Sequence, residues 1–161
     1  LDSKEKITKA GFENSSANLF PKNTVLFAMY GAQDYSSGIT GIVTMDCTTN
    51  QAICGMMCGE KIIPTFLLYF LQSNQYKIRK MATGGAQKNL NQDKLKNLEI
   101  PLPPIIIQKQ IIQKIKSAEE KFKSQKKQFE NIKNDYESKI NYINHIQSSI
   151  LDSAFSGKLL N

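Results

Sequence analysis

A single histidine occurs in the chain, His145, flanked by Asn144 and Ile146 on a helix-patterned stretch, where a solvent-facing role is the plain reading. The residue type most often used as general acid or base is thus nearly missing. Cysteine is also sparse: Cys47, Cys54 and Cys58 are odd in number and have no partner cluster elsewhere, so buried free thiols are expected in place of a metal or redox site. The longest apolar run, 62–71, contains Pro64 and Thr65 and is too short to span a bilayer, and the N-terminus shows no charged-then-apolar signal segment. A soluble, cytoplasmic chain with no membrane partner is expected. Phosphate loops are missing as well. Gly84-Gly85 follows a predicted helix, Lys88 is not followed by Ser or Thr, and Gly31, Gly38 and Gly41 are too irregular for a dinucleotide fingerprint. The acidic residues Asp34, Asp46, Glu60 and Glu99 fall in different turns without an arguable pair. No catalytic residue, metal ligand or cofactor is expected.

One further absence is constructive. Between Pro104 and Gly157 there is neither proline nor glycine, and apolar residues recur there at alternating spacings of four and three. The a positions are Ile115, Phe122, Phe129, Tyr136, Ile143 and Ile150, and the d positions are Ile111, Ala118, Gln125, Ile132, Lys139 and Ile146. That pattern is a coiled-coil seam. At a rise of about 1.5 Å per residue the helix would be roughly 70 Å long, more than a small domain can cover. It needs another long helix to lie against. Gln125 and Lys139 interrupt the seam, and polar residues so placed fix register and orientation.

The residues before the helix read as a mixed domain. Residues 11–16 suggest a turn-rich connection, Pro21-Lys22-Asn23 a turn, and 24–30 a strand rich in β-formers. A polar loop over 31–38, a strand over 39–45, a Thr48-Thr49-Asn50 turn and a strand over 51–58 follow. Pro64 suits the first residue of a helix whose apolar face runs to about Met81. Thr83-Gly84-Gly85 ends it, and Asn91 is placed to cap a short turn over 92–97. Residues 98–102 look like a last strand before the stiff corner of Pro103 and Pro104. This order predicts an α+β fold with a mixed or antiparallel sheet, followed by a long coiled-coil helix.

Charge is unevenly placed. The net is +7 over 161 residues, yet 1–74 carry five Lys against six acids, whereas 75–96 carry Lys77, Arg79, Lys80, Lys88, Lys94 and Lys96 against Asp93 alone. A cationic segment beside polar loops suits a polyanion, because each neutralised phosphate releases counterions. Gln87-Lys88-Asn89 and Asn91 are of the types that pair with base edges in the major groove. A solvated face and a capped turn remain the plainer alternatives.

From Gly84-Gly85-Ala86-Gln87-Lys88-Asn89-Leu90-Asn91 through Leu95, Leu98, Ile100-Pro101-Leu102-Pro103-Pro104 and Gln108 to Ile111-Ile112, the chain resembles the DNA-specificity (S) subunits of type I restriction-modification systems. Pro21-Lys22-Asn23-Thr24-Val25-Leu26-Phe27, Tyr30-Gly31-Ala32 and Thr49-Asn50-Gln51-Ala52 are similar to the target recognition domain of that family and of the related type IIG enzymes. Ile150-Leu151-Asp152-Ser153-Ala154-Phe155-Ser156-Gly157-Lys158-Leu159 is similar to the end of its conserved spacer helix. The resemblance implies a non-catalytic module that reads duplex DNA, with modification subunits docked on it. It also implies a second specificity half joined through antiparallel helix pairing, which a homodimer would supply. Two departures stand out: one recognition domain and one helix where a full subunit has two of each, and Ile107 where the family usually has an acid.

On this reading residues 1–103 are a target recognition domain, expected to be N-terminally incomplete because Leu1 falls inside it, 104–155 the spacer helix and 156–161 a tail. Base and phosphate contacts are expected from Gln33, Tyr35, Ser37, Arg79, Lys80, Gln87, Lys88, Asn89 and Asn91. The C-terminal specificity domain of a fused type IIG enzyme, and a coiled-coil assembly protein that ignores DNA, are the alternatives.

Overall fold

A computed structural model of the chain describes residues 6–29, 38–81 and 90–156. Two units can be told apart, Leu1–Gln113 and Lys114–Asn161. The elements are α1 (Lys9–Glu13), β1 (Leu19–Phe20), β2 (Val25–Ala28), β3 (Thr40–Ile42), β4 (Cys47–Thr48), β5 (Ile53–Met56), α2 (Pro64–Ser73), α3 (Gln75–Lys80), α4 (Gln92–Lys96) and α5 (Ile105–Phe155). The fold is α+β, as the order of sequence signals predicts.

In the first unit, β2 is the central strand of a sheet ordered β3-β2-β5, antiparallel on both sides. Alternation along β2 sends Val25 and Phe27 to one face, and both are fully buried there with Met29. Leu67 and Leu71 of α2, Ile78 of α3, and Leu90 and Leu95 complete that core. The turn before β2 forms because Asn23 adopts φ 72°, a left-handed conformation that asparagine tolerates. Thr24 N donates to Pro21 O at 3.1 Å, and Lys22 N donates to Asp46 Oδ1 at 2.9 Å, tying the turn to the chain after β3. A separate antiparallel pair joins β1 to β4, Leu19 opposite Thr48 and Phe20 opposite Cys47. The Phe20 ring packs against Gly55 of β5. A Cβ there would sit 2.2 Å from the ring, so only glycine admits this contact.

Pro64 opens α2, as its chemistry predicts, but the single helix expected to run to Met81 is two. Asn74 takes φ −100°, ψ 6°, and its side-chain Nδ2 donates to Phe70 O at 2.9 Å beside its own backbone N–H. This local side-chain bond replaces continuation of the helix, and α3 starts afresh. Two more expectations fail. The first three residues of the connection expected over 11–16 belong instead to α1, which Thr8 caps through Oγ1, accepting from Gly11 N at 3.0 Å. Among the described residues, 98–102 join no ladder, and Pro101 lacks the N–H that a ladder requires.

The second unit is the greater part of α5, a 51-residue helix in all. The seam residues Phe122, Phe129, Ile132, Tyr136, Ile143, Ile146 and Ile150 are all exposed. Nearer its start, Ile111 and Ile115 are half-buried.

Candidate nucleic-acid interface

The described residues of the basic segment form α3 and α4. Ile78 and Leu95 are buried and anchor one side of each short helix, which leaves Lys77, Arg79 and Lys80 in the last turn of α3 and Lys94 and Lys96 in that of α4. The helices are tied directly: Lys94 Nζ donates to Met81 O at 2.8 Å, placing an ammonium at the carbonyl end of α3. Lys80 Nζ stands 4.4 Å over the centre of the exposed Tyr76 ring, an arrangement that holds the side chain in place. Asn91 caps α4 as its position predicts, its Oδ1 accepting from Lys94 N at 3.0 Å. Asp93 and Lys96 approach to 3.7 Å on the surface, a solvent-screened pair.

Of the residues expected to contact DNA, Arg79, Lys80 and Asn91 are therefore held in one neighbourhood by the Lys94 tie. Gln33, Tyr35, Ser37, Gln87, Lys88 and Asn89 lie outside the described residues. The ends of the segments that contain them are firmly placed. Met29 N donates to Ala52 O at 2.8 Å, and Gly38 N donates to Ala28 O at 2.8 Å. Gly38 has φ 79°, and a Cβ there would lie 2.7 Å from Gln75 Cγ. Sequence reasoning placed the weight on the polar stretches 31–38 and 87–91 and missed the close approach of Gln75 to Gly38 and the Lys94 tie. Lys94 was counted there only for its charge, and Gln75 carries no signal at the level of residue type.

Elsewhere the chemistry is limited. A cavity of about 420 Å³ between β1, β5 and α4 is lined by Phe20, Cys54, Met56 and Leu95, with Gln92 and Lys96 beside them. Burial pushes the Cys54 thiol up, with the Lys96 ammonium pulling weakly the other way, and burial also raises Cys58. Both stay protonated at neutral pH and are poor nucleophiles. The three cysteines are unpaired and half-buried, less enclosed than expected. Among the described residues no three His, Cys, Asp or Glu side chains come together. What the surface offers is hydrogen bonding and positive charge.

A family model of the type I restriction modification DNA specificity domain matches residues 2–153. The chain belongs to that family. The specificity-domain fold is also found in solved structures. An S subunit, HsdS, from Thermoanaerobacter tengcongensis superimposes with a TM-score of 0.53 at 19% identity, over 64% of this chain and 23% of that one. The S subunit of a type I restriction-modification system from M. genitalium gives a TM-score of 0.52 at 22% identity, over 68% and 29%. A chain described in work on complex assembly and conformational transition of the type I R-M system gives 0.56 at 19%, over 65% and 25%. This specificity-domain chain spans about a quarter of the length of each. Among its described residues no helix is long and apolar enough to cross a membrane.

Proposed function

We propose that this specificity-domain chain binds duplex DNA sequence-specifically, performs no chemistry itself, and serves as the component on which modification subunits are positioned. Its place is the cytoplasm, with the DNA it reads. The observation that carries the reading is the Lys94 tie to Met81, which groups the cationic ends of α3 and α4. Lys77, Arg79 and Lys80 hold phosphates, and the polar residues Gln33, Tyr35, Ser37, Gln87, Lys88, Asn89 and Asn91 are offered to base edges. A target selected from a randomised duplex library provides the test. Removing Lys77, Arg79 and Lys80 together by alanine should lower the slope of log affinity against log salt by up to about 0.9 for each phosphate no longer neutralised, on cognate and random duplexes alike. A wild-type chain that ignores every duplex at low salt would overturn the proposal.

The second half of a split site is brought by a second specificity half, which another copy of this chain can supply through its seam. Charge supports an antiparallel arrangement: residues 114–127 carry six Lys against Glu119 and Glu120, while 128–152 carry Lys133 and Lys139 against Glu130, Asp135, Glu137 and Asp152. Antiparallel pairing sets the basic half of one helix against the acidic half of the other. Centred between residues 130 and 131, it puts Phe129 against Ile132, Ile115 against Ile146 and Ala118 against Ile143. The two polar d positions then meet aromatic rings, Lys139 at Phe122 and Gln125 at Tyr136. A parallel dimer in register would instead oppose Lys139 to itself. Substituting Gln125→Leu with Lys139→Leu should keep association but loosen its direction, giving mixed cross-links between labelled helix ends. An unchanged antiparallel pattern would mean that the apolar positions alone set it.

A further inference from the structure

Gln108 is the one polar residue of α5 that is buried, with 0% of its surface exposed. A glutamine on the second turn of a helix would ordinarily point to water. Here its side-chain amide is built into a junction of three chain segments. Oε1 accepts from Ile63 N at 2.9 Å, while Nε2 donates to Lys61 O and to Pro103 O, both at 2.8 Å. One N–H and two carbonyls surround it, so the amide fits in a single orientation and no acid, alcohol or cation of similar size satisfies all three.

The three partners explain why the site exists. Ile63 is the residue before Pro64, at the entry to α2, and has no side-chain cap of its own. Pro103 forms the corner that feeds α5, and Lys61 lies in the turn between β5 and α2. Bonds spanning 45 and 47 residues of sequence therefore fasten the first turns of α5 to the α2 entry. The hold is geometric as well as energetic. A leucine in this place would stay buried but leave a donor and two acceptors without partners.

We infer that Gln108 is a positioning residue for the spacing between half-sites: it indexes the start of α5 to the recognition unit, so that the length of the paired helices is delivered as a fixed separation on DNA. The inference rests on the DNA-reading and helix-pairing proposals above. Inserting one base pair moves a half-site by about 3.4 Å along the duplex and turns it by roughly 35°. A firmly indexed helix cannot follow that change, and a loosely held one can.

The experiment uses the full chain in its associated state, with duplexes carrying the two selected half-sites at the preferred separation and at one base pair more or fewer. Wild type should lose at least about tenfold in affinity at either wrong separation, as bivalent engagement is lost. Gln108→Leu and Gln108→Asn should narrow that ratio to below about threefold while single half-site affinity stays within about threefold. Leu71→Ala serves as a control for general destabilisation in the same unit and should retain the wild-type ratio. Variants that keep the wild-type ratio would overturn the inference. So would a Leu71→Ala control that loosens spacing as much, because Gln108 would then act through stability alone. If Gln108→Leu does not fold, Gln108→Asn, which keeps amide chemistry on a shorter arm, carries the same reading. Failure of wild type to bind any duplex would overturn the underlying DNA-reading proposal instead, and a wild type indifferent to separation would overturn the helix-pairing one.

Discussion

Phe27 and Phe129 are the same side chain in opposite circumstances. Phe27, on the central strand, is 0% exposed among residues of its own chain, whereas Phe129, on the long helix, is 67% exposed. The first unit builds a core from its own residues, with β2, α2, α3 and α4 all contributing. The second holds a periodic apolar stripe that its own chain leaves in water. A stripe of this kind is complete only in company. One unit is specified by what it buries and the other by what it withholds from burial.

Phe27→Ala should give the largest effect, a loss of about 3–5 kcal/mol in denaturant unfolding of the first unit, because the space cannot close around a central strand. Gly55→Ala comes next. The added methyl must displace the Phe20 ring, and a loss of about 1–3 kcal/mol is expected, with β1 and β4 exchanging amide hydrogens faster than β2. Phe129→Ala is the smallest in dilute solution, within about 0.5 kcal/mol, yet it should shift self-association, measured by sedimentation, towards monomer. If Phe129→Ala instead destabilises the dilute chain as Phe27→Ala does, the contrast between the units fails.

Much of this was legible because its causes are local. Pro64 at a helix start, Asn91 as a cap and the heptads of α5 each act within a turn or two, and all stand where the sequence places them. The pairing of Leu19–Phe20 with Cys47–Thr48 was not legible: two-residue strands have no periodicity, and their partners are distant in sequence. The same holds for Gln108, whose burial follows from backbone groups 45 and 47 residues away. Asn74 shows the opposite limit. Its cause is local, but a single asparagine in an apolar-patterned run competes with propensity too evenly for pattern alone to decide. In the candidate interface, residue type pointed to the basic segment, while the Lys94 tie that organises it required three dimensions.

That tie has an evolutionary consequence. The Lys94 ammonium grips a main-chain carbonyl, that of Met81, and so holds α3 to α4 through an atom that every residue type possesses. Leu90, sunk in the core, fixes the approach to α4 in the same unit. Neither contact depends on the side chains of the neighbouring polar residues, so selection can alter the chemistry offered to DNA without renegotiating the core.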